Sequence, residues 1–269
     1  MKNLIVMRGG GDIASGIAHR LVMAGFPVVI LEVEKPTMVR RTVSFAQAIY
    51  DGEMIIEGIK AKLAKSPEDA IDMIDQEILP ILIDPKGESI EKLKPLAIVD
   101  AILAKKNLGT HKDMASIVIG VGPGFTAGED VHAVIETMRG HFLGRVILKG
   151  QAIPNTGVPG EIGGHDIDRV LRAPIEGEFK ATRKIGDIVK KGEIVAYVGE
   201  KPVPATISGV LRGLLQDGLA VTPGYKIGDI DARDVAEHCL TISDKARSVG
   251  GGVLEALLYL QCRRGDKQC

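Results

Sequence analysis

The sequence predicts an α/β protein: a mostly parallel sheet domain, then a small all-β module, then a helix that packs back. Three observations predict it. A hydrophobic strand runs straight into a glycine turn, short apolar β-type runs recur as far as residue 148, and the stretch from residue 173 repeats itself at an offset of 32 residues.

The first strand is Leu4-Ile5-Val6-Met7-Arg8, followed by Gly9-Gly10-Gly11-Asp12-Ile13-Ala14-Ser15-Gly16. Gly9, Gly11 and Ala14 fit G-x-G-x-x-A, in which glycines permit a tight turn and let a ligand approach the backbone. Ile13, Ile17, Leu21 and Ala24 mark one face of a helix whose N-terminal N–H groups would face an anion. Val28 to Leu31 makes the second strand and sets Glu32 at its end, 21 residues after Gly11, where a ribose-binding acid would stand. Strand, turn, helix, strand and acid in this order predict a Rossmann-like start.

Further apolar runs follow at Ile81-Leu82-Ile83, Leu96 to Val99, Ile117-Val118-Ile119 and Arg145 to Leu148, the pattern of a parallel sheet covered on both faces. Ligands of such sheets collect beyond the carboxyl ends of the strands. The residues there are Gly9 to Asp12, Glu32, Asp84, Asp100, and the loop Gly122-Pro123-Gly124-Phe125-Thr126-Ala127-Gly128. Candidate cofactor-binding residues are therefore Gly9, Gly10, Gly11, Asp12, Ile13, Ala14, Glu32, Asp100, Gly122 and Gly124. Each has a structural alternative: glycine as a turn residue, aspartate as a helix cap.

In the repeat, Ala173-Pro174-Ile175-Glu176-Gly177 matches Ala205-Thr206-Ile207-Ser208-Gly209, and Gly186, Val189 and Gly192 match Gly218, Val221 and Gly224. Each half reads as strand, glycine, strand and a G-x-x-V-x-x-G turn, and the pair resembles the half-barrel of biotinyl/lipoyl domains. The resemblance would put a prosthetic lysine in the hairpin between the halves, where Lys201 is followed directly by Pro202. The sequence around it lacks the modification context, so Lys201 is expected to be unmodified and the module to be structural or protein-docking.

Between the two domains, residues 131–138 read as a helix with His132 and Glu136 on one face and Asp130 at its N-cap. No third ligand has suitable spacing, so no metal site is assigned. Residues 1–150 are expected to form the Rossmann-like domain, 151–172 a Gly/Pro-rich linker, 173–232 the β-module, 233–261 a C-terminal helical segment and 262–269 a tail. Gly250-Gly251-Gly252 leads into an apolar helix, Val253 to Leu260, which would pack on the first domain or on another subunit.

Composition narrows the function. A formal charge of −1 over 269 residues gives no basic excess for nucleic acid or a membrane surface. The apolar runs are too short to span a bilayer or to form a signal peptide, and Cys239, Cys262 and Cys269 lack disulfide or zinc spacing. A cytoplasmic protein is expected, with homo-oligomerisation left open.

Several motifs together give a more specific resemblance. These are Gly10 to Gly16, Asp100-Ala101 with Ala104 to Asn107, Gly122 to Gly128, Asp130 to His141, Asn155-Thr156-Gly157 and Ile242 to Ala246. They resemble the accessory protein of selenium-dependent molybdenum hydroxylases, whose Rossmann-like part is reminiscent of xanthine dehydrogenase accessory factors. The resemblance implies maturation of a molybdenum hydroxylase client and handling of the molybdenum-pterin cofactor or of selenium; it supplies no catalytic residue. The residues alone admit an NAD(P)-type nucleotide as ligand, and two competing classes: a nicotinamide-dependent oxidoreductase, whose proton donor would have to be a residue such as Tyr50 or Lys106, and a non-catalytic scaffold.

Overall fold

The computed structural model describes residues 1–263, so the rest of the expected tail, Cys269 included, lies outside the described residues. The chain forms two compact units. Unit 1 comprises Met1–Pro36, Phe45–Asn155 and the chain from Ile242 on; unit 2 comprises Thr37–Ser44 and Thr156–Thr241.

Unit 1 contains β1 (Ile5–Arg8), α1 (Asp12–Met23), β2 (Val28–Glu32), α2 (Ala48–Asp51), β3 (Glu53–Ile56), β4 (Ile59–Leu63), α3 (Pro67–Ile74) and β5 (Leu79–Ile83). It continues with α4 (Ile90–Leu93), β6 (Ala97–Asp100), β7 (Ile117–Val121), β8 (Thr126–Ala127), β9 (Ala133–Ile135), β10 (Val146–Ile147) and β11 (Gly150–Gln151). Nine strands make one sheet in the order β10-β9-β7-β6-β1-β2-β5-β4-β3. Only the outermost pairs, β10–β9 and β3–β4, are antiparallel. The expected large, mostly parallel sheet is present, with β1 between β2 and β6 at the point where the strand order reverses.

Alternation along β1 shows why the runs are uniformly apolar. Ile5 and Met7 are buried with Ile17 and Leu21 of α1 on one face, while Leu4 and Val6 are buried with Ala70 of α3 and Leu93 of α4 on the other. A strand buried on both sides has no polar phase.

The C-terminal helix packs back within unit 1, as expected, but starts earlier than the sequence suggests. It is α5, Asp244–Arg263, and it runs through Gly250, Gly251 and Gly252. The Ser243 hydroxyl accepts the Ala246 N–H (3.2 Å), giving the helix its cap. The glycines are inside the helix because backbone meets backbone there: a Cβ on Gly250 would lie 2.9 Å from Gly16 O, and one on Gly16 2.6 Å from the Ala246 Cβ. That proximity offsets the helix-weakening entropy of glycine.

The helix expected over residues 131–138 is absent. The segment forms β9, parallel to β7 and buried on both sides, so burial overrides the i, i+4 pattern of His132 and Glu136.

Unit 2 contains β12 (Val170–Arg172), β13 (Gly177–Ala181), β14 (Ile188–Val189), β15 (Ile194–Val198), β16 (Lys201–Pro204), β17 (Gly209–Leu214), β18 (Ala220–Val221) and β19 (Lys226–Asp231). They form two four-stranded sheets, β12-β19-β17-β14 and β16-β15-β13-β18. The 32-residue offset carries β12–β15 onto β16–β19, and each sheet takes two strands from each copy. Neither copy can therefore satisfy its own strand edges alone. Phe179, Val195, Val198, Leu211, Leu214, Ile227 and Ile230 fill the core between them.

The first of these sheets also buries charge. Asp229 accepts from Arg169 (2.7 Å) and Arg212 (3.0 and 3.1 Å), and Asp231 accepts from Arg233 (2.9 and 2.6 Å). Residues of the Thr37–Ser44 segment lie on this sheet: Leu214 N–H donates to Val39 O (2.8 Å) and Arg41 Nε to Leu214 O (2.9 Å). Among the described residues, no helix is long and apolar enough to cross a membrane.

Two outcomes follow from this packing. Gly250→Leu is expected to destabilise unit 1 by about 2–3 kcal/mol, because the contact with Gly16 O cannot open without moving α5. Gly251→Ala, with nothing within 4 Å of its added Cβ, is expected to stabilise by about 0.5–1 kcal/mol. Urea unfolding of both variants checks the pair; equal effects would mean that the helix contact is loose.

A third concerns pH. Burial opposes ionisation of Asp231, but Arg233 donating from its side chain and backbone, with Arg212 beside it, holds its carboxyl at about 2. A folded value below the unfolded one gives stability present above the unfolded value of about 3.9 and lost as pH falls from there towards the folded one. Unit 2 should lose urea resistance over that interval, and Asp231→Asn should flatten the dependence.

Candidate functional site

The carboxyl ends of β1, β2, β6, β7 and β9 share one rim of unit 1, and the crevice there lies between β1 and β6, the usual ligand position in such sheets. Below the rim that crevice is closed. Arg8 Nη1 donates to Thr110 Oγ1 (2.5 Å), Thr110 Oγ1 donates to Asp100 Oδ2 (2.5 Å), and all three residues are buried. Asp100 also accepts from its own loop at Ile102 N–H (3.2 Å). The candidate acid is thus the floor of the crevice. Arg8 and Thr110 were missed as its partners, because an arginine ending an apolar strand and a threonine ten residues past Asp100 carry no motif.

The glycine turn sits directly above. Gly9 has φ +98°, and a Cβ there would lie 2.8 Å from Ala101 O, so only glycine fits. Its N–H donates to Leu31 O (2.8 Å). Gly10 packs on Ala46 and donates its N–H to Glu32 Oε2 (2.7 Å). Gly11 differs from both: it caps α1 with an ordinary φ of −68°, and a Cβ on it would meet nothing within 4 Å. Space opens over Gly11 alone.

Glu32 is thereby a loop clamp. Its other oxygen accepts Val33 N–H (2.8 Å); burial pushes its carboxyl above the usual range, against the pull of the two hydrogen bonds. Each oxygen keeps a second lone pair beyond these bonds. Asp12, the first residue of α1, accepts the N–H of Ile13 (2.9 Å), while Ile13 and Ala14 turn inward and are buried.

The second glycine loop leaves less room. A Cβ on Gly122 would lie 2.8 Å from Thr137 Oγ1, and one on Gly124, where φ is +113°, 2.7 Å from Lys106 Cα. Both glycines serve close packing of loop on loop. Asp84 is a cap: burial would raise its carboxyl, but N–H groups of Gly87, Glu88 and Ser89 hold it below the usual range.

Asp130, His132 and Glu136 do not converge. Asp130 accepts Thr126 N–H (2.7 Å), His132 Nδ1 accepts Val118 N–H (2.9 Å), and Glu136 accepts the N–H groups of Met138 (2.7 Å) and Ile153 (2.8 Å). Among the described residues, no group of three His, Cys, Asp or Glu side chains could hold a metal ion. Tyr50 donates its hydroxyl to Pro36 O (2.8 Å).

The head of α5 adds groups that the glycine fingerprint does not include. Arg139 makes a two-bond pair with Asp244 (2.6 and 3.1 Å), and Glu57, at the β3–β4 turn, accepts Ile242 N–H (2.8 Å) and two bonds from Arg247 (2.7 and 2.6 Å). Lys245 follows Asp244 in α5. Burial pulls its ammonium below the usual lysine range; Asp12 opposes this and Arg139 adds to it.

No family model matches the chain. It is 56% identical over 257 residues to the "Uncharacterized protein YqeB" of Escherichia coli (strain K12), covering 96% of this chain and 48% of that protein. The chain therefore spans about half the length of the curated relative it matches. Similar solved structures include an aspartoacylase family protein of Mesorhizobium loti (10% identity, 84% of each chain, TM-score 0.27). Others are a succinylglutamatedesuccinylase/aspartoacylase of Rhodobacter sphaeroides (13%, 85% of each chain, 0.29) and the ectoine utilization protein EutE of Ruegeria pomeroyi (11%, 84% and 85%, 0.25). TM-scores this low carry no argument for fold or chemistry, so no hydrolase activity is taken from them. The comparisons do not bear out the resemblance to the accessory protein of selenium-dependent molybdenum hydroxylases: the solved structures they give are two aspartoacylase-type proteins and an ectoine utilization protein, and the client hydroxylase, the molybdenum-pterin cofactor and the selenium step are not carried forward. The short motifs that carried it have packing roles here, Gly16 against Ala246 and Gly124 against Lys106.

Proposed function

We propose that unit 1 binds a nucleotide-class ligand, its phosphate over Gly11 and the first turn of α1 and its ribose towards Glu32. The carrying observation is the space over Gly11 at the head of a buried helix, directly above a closed crevice at the reversal of strand order. The first N–H groups of α1 have no partner within the helix, and the Asp12 carboxylate already on the Ile13 N–H is the kind of negative group that this helix end favours. Glu32 fixes Gly10 and retains acceptor capacity at the end of β2.

The test is calorimetry of the full chain with ADP and NAD, compared with Gly11→Leu. Gly11 has an ordinary φ and open space, so the variant should melt as the parent does yet bind at least about tenfold more weakly, a loss of about 1.4 kcal/mol. Failure of both probes to bind, or equal binding by the variant, overturns the reading. Gly9→Ala is the contrasting control, expected to destabilise because of its positive φ and the Ala101 contact.

We read unit 2 as a biotinyl/lipoyl-like module without its prosthetic group. Two repeats exchanging strands between two sheets support the fold. Lys201 pairs with Val198 as the first residue of β16, beside the Gly199-Glu200 turn and ahead of Pro202, which argues against modification. The intact mass is expected to match the unmodified sequence; an addition lost in Lys201→Arg would reverse this.

A further inference from the structure

A dinucleotide on a sheet of this kind lies across the reversal of strand order, one half on each side of the first strand. On the β2 side of β1, space is open over Gly11. On the other side, the loops that leave β6 and β7 are packed on the glycine turn and on each other. Ala101 N–H donates to Arg8 O (2.8 Å), and a Cβ on Gly9 would lie 2.8 Å from Ala101 O and 3.0 Å from Ile102 Cα. Further along the same loop, a Cβ on Gly124 would lie 2.8 Å from Lys106 N and 2.7 Å from its Cα. One on Gly122, the residue after β7, would lie 2.8 Å from Thr137 Oγ1 and 3.5 Å from Leu103 Cδ2.

Leu103 stands at the middle of this cover. Its half-buried side chain packs on the core formed by Met7, Val99, Val121 and Ile13, although its φ of +60° is one that leucine rarely adopts. Lys105 has φ +63° in the same loop. Such residues persist only where their surroundings fix them. Here the loop is tied at both ends: Asp100 accepts Ile102 N–H (3.2 Å), and Asn107 accepts the N–H groups of Gly109 (2.9 Å) and Thr110 (2.8 Å) while donating to Thr110 O (2.7 Å).

We propose that the site of unit 1 takes a nucleoside diphosphate and discriminates against dinucleotides, because Leu103 and its loop occupy the strand ends on which the second nucleoside would rest. The inference rests on the nucleotide reading above and narrows it. A terminal phosphate over Gly11 meets the N-terminal N–H groups of α1 with its full charge. Esterified to a second ribose, as in ADP-ribose and NAD, it brings one negative charge fewer and a sugar that must displace the loop or stay in solvent.

The experiment is competition calorimetry of the full chain with ADP, ADP-ribose and NAD. The parent should bind ADP at least about tenfold more tightly than either of the others. A smaller preference, or the reverse order, overturns the inference and leaves the nucleotide reading standing. Leu103→Gly removes the side chain and suits the positive φ, so it should narrow the preference for ADP over ADP-ribose by about threefold or more. An unchanged ratio in the folded variant overturns the part given to Leu103, and the comparison on the parent holds whether or not the variant folds. If none of the three binds the parent, the nucleotide reading falls and this inference with it.

Discussion

Backbone contact between α1 and α5 is the constraint on which unit 1 depends. Side chains ordinarily hold two helices several ångströms further apart, but Gly16 and Gly250 let main chain touch main chain, and Gly252 abuts Gly144 in the same way. The consequence is geometric. With the helices this close, the residues at the head of α5 are brought to the rim where α1 begins, and Lys245 comes within electrostatic reach of Asp12. The pin from Glu57 to Ile242 and Arg247 fixes where α5 starts, so its register along α1 is set at two independent points.

Legibility followed the scale of each signal. The β1–α1–β2 start was readable because three local signals agree there: an apolar run, a glycine turn and an amphipathic helix ended by Gly25. The early part of α5 was not, because Gly250 to Gly252 is the composition of a linker and its helical state is decided by Gly16, more than 200 residues away. The same holds for β9, where buried pairing with β7 outweighed a helical spacing of polar residues. In the site, Gly9 and Glu32 were found by motif but for a role only half seen. Arg8 and Thr110 were not found, since each depends on a partner that folding alone supplies.

The glycine turn also shows how the loop proposed to bind a ligand is preformed. A loop with several unbonded N–H groups would collapse or fluctuate when empty. Here Gly9 and Gly10 are bonded to Leu31 and Glu32, and Arg8, Thr110 and Asp100 hold the floor. Only the stretch over Gly11 is left open, so a ligand need not pay to order the rest.

Unit 2 shows what a repeat does when its two copies meet different surroundings. At the 32-residue offset Arg169, Arg212 and Asp229 correspond to Lys201, Lys180 and Tyr197. The first set is buried in the sheet to which Val39–Arg41 is bonded, and the second is exposed on the other sheet. Lysine is strongly hydrated and suits a solvated face, whereas the planar guanidinium can address two buried carboxylates with different nitrogens, as Arg212 does with Nη2 on Asp229 and Nη1 on Asp231. With the Thr37–Ser44 segment over one sheet, a buried charge there requires partners in a fixed geometry. The uncovered sheet had no such requirement. The difference between arginine and lysine at matched positions is therefore the record, within one chain, of which face lost its water.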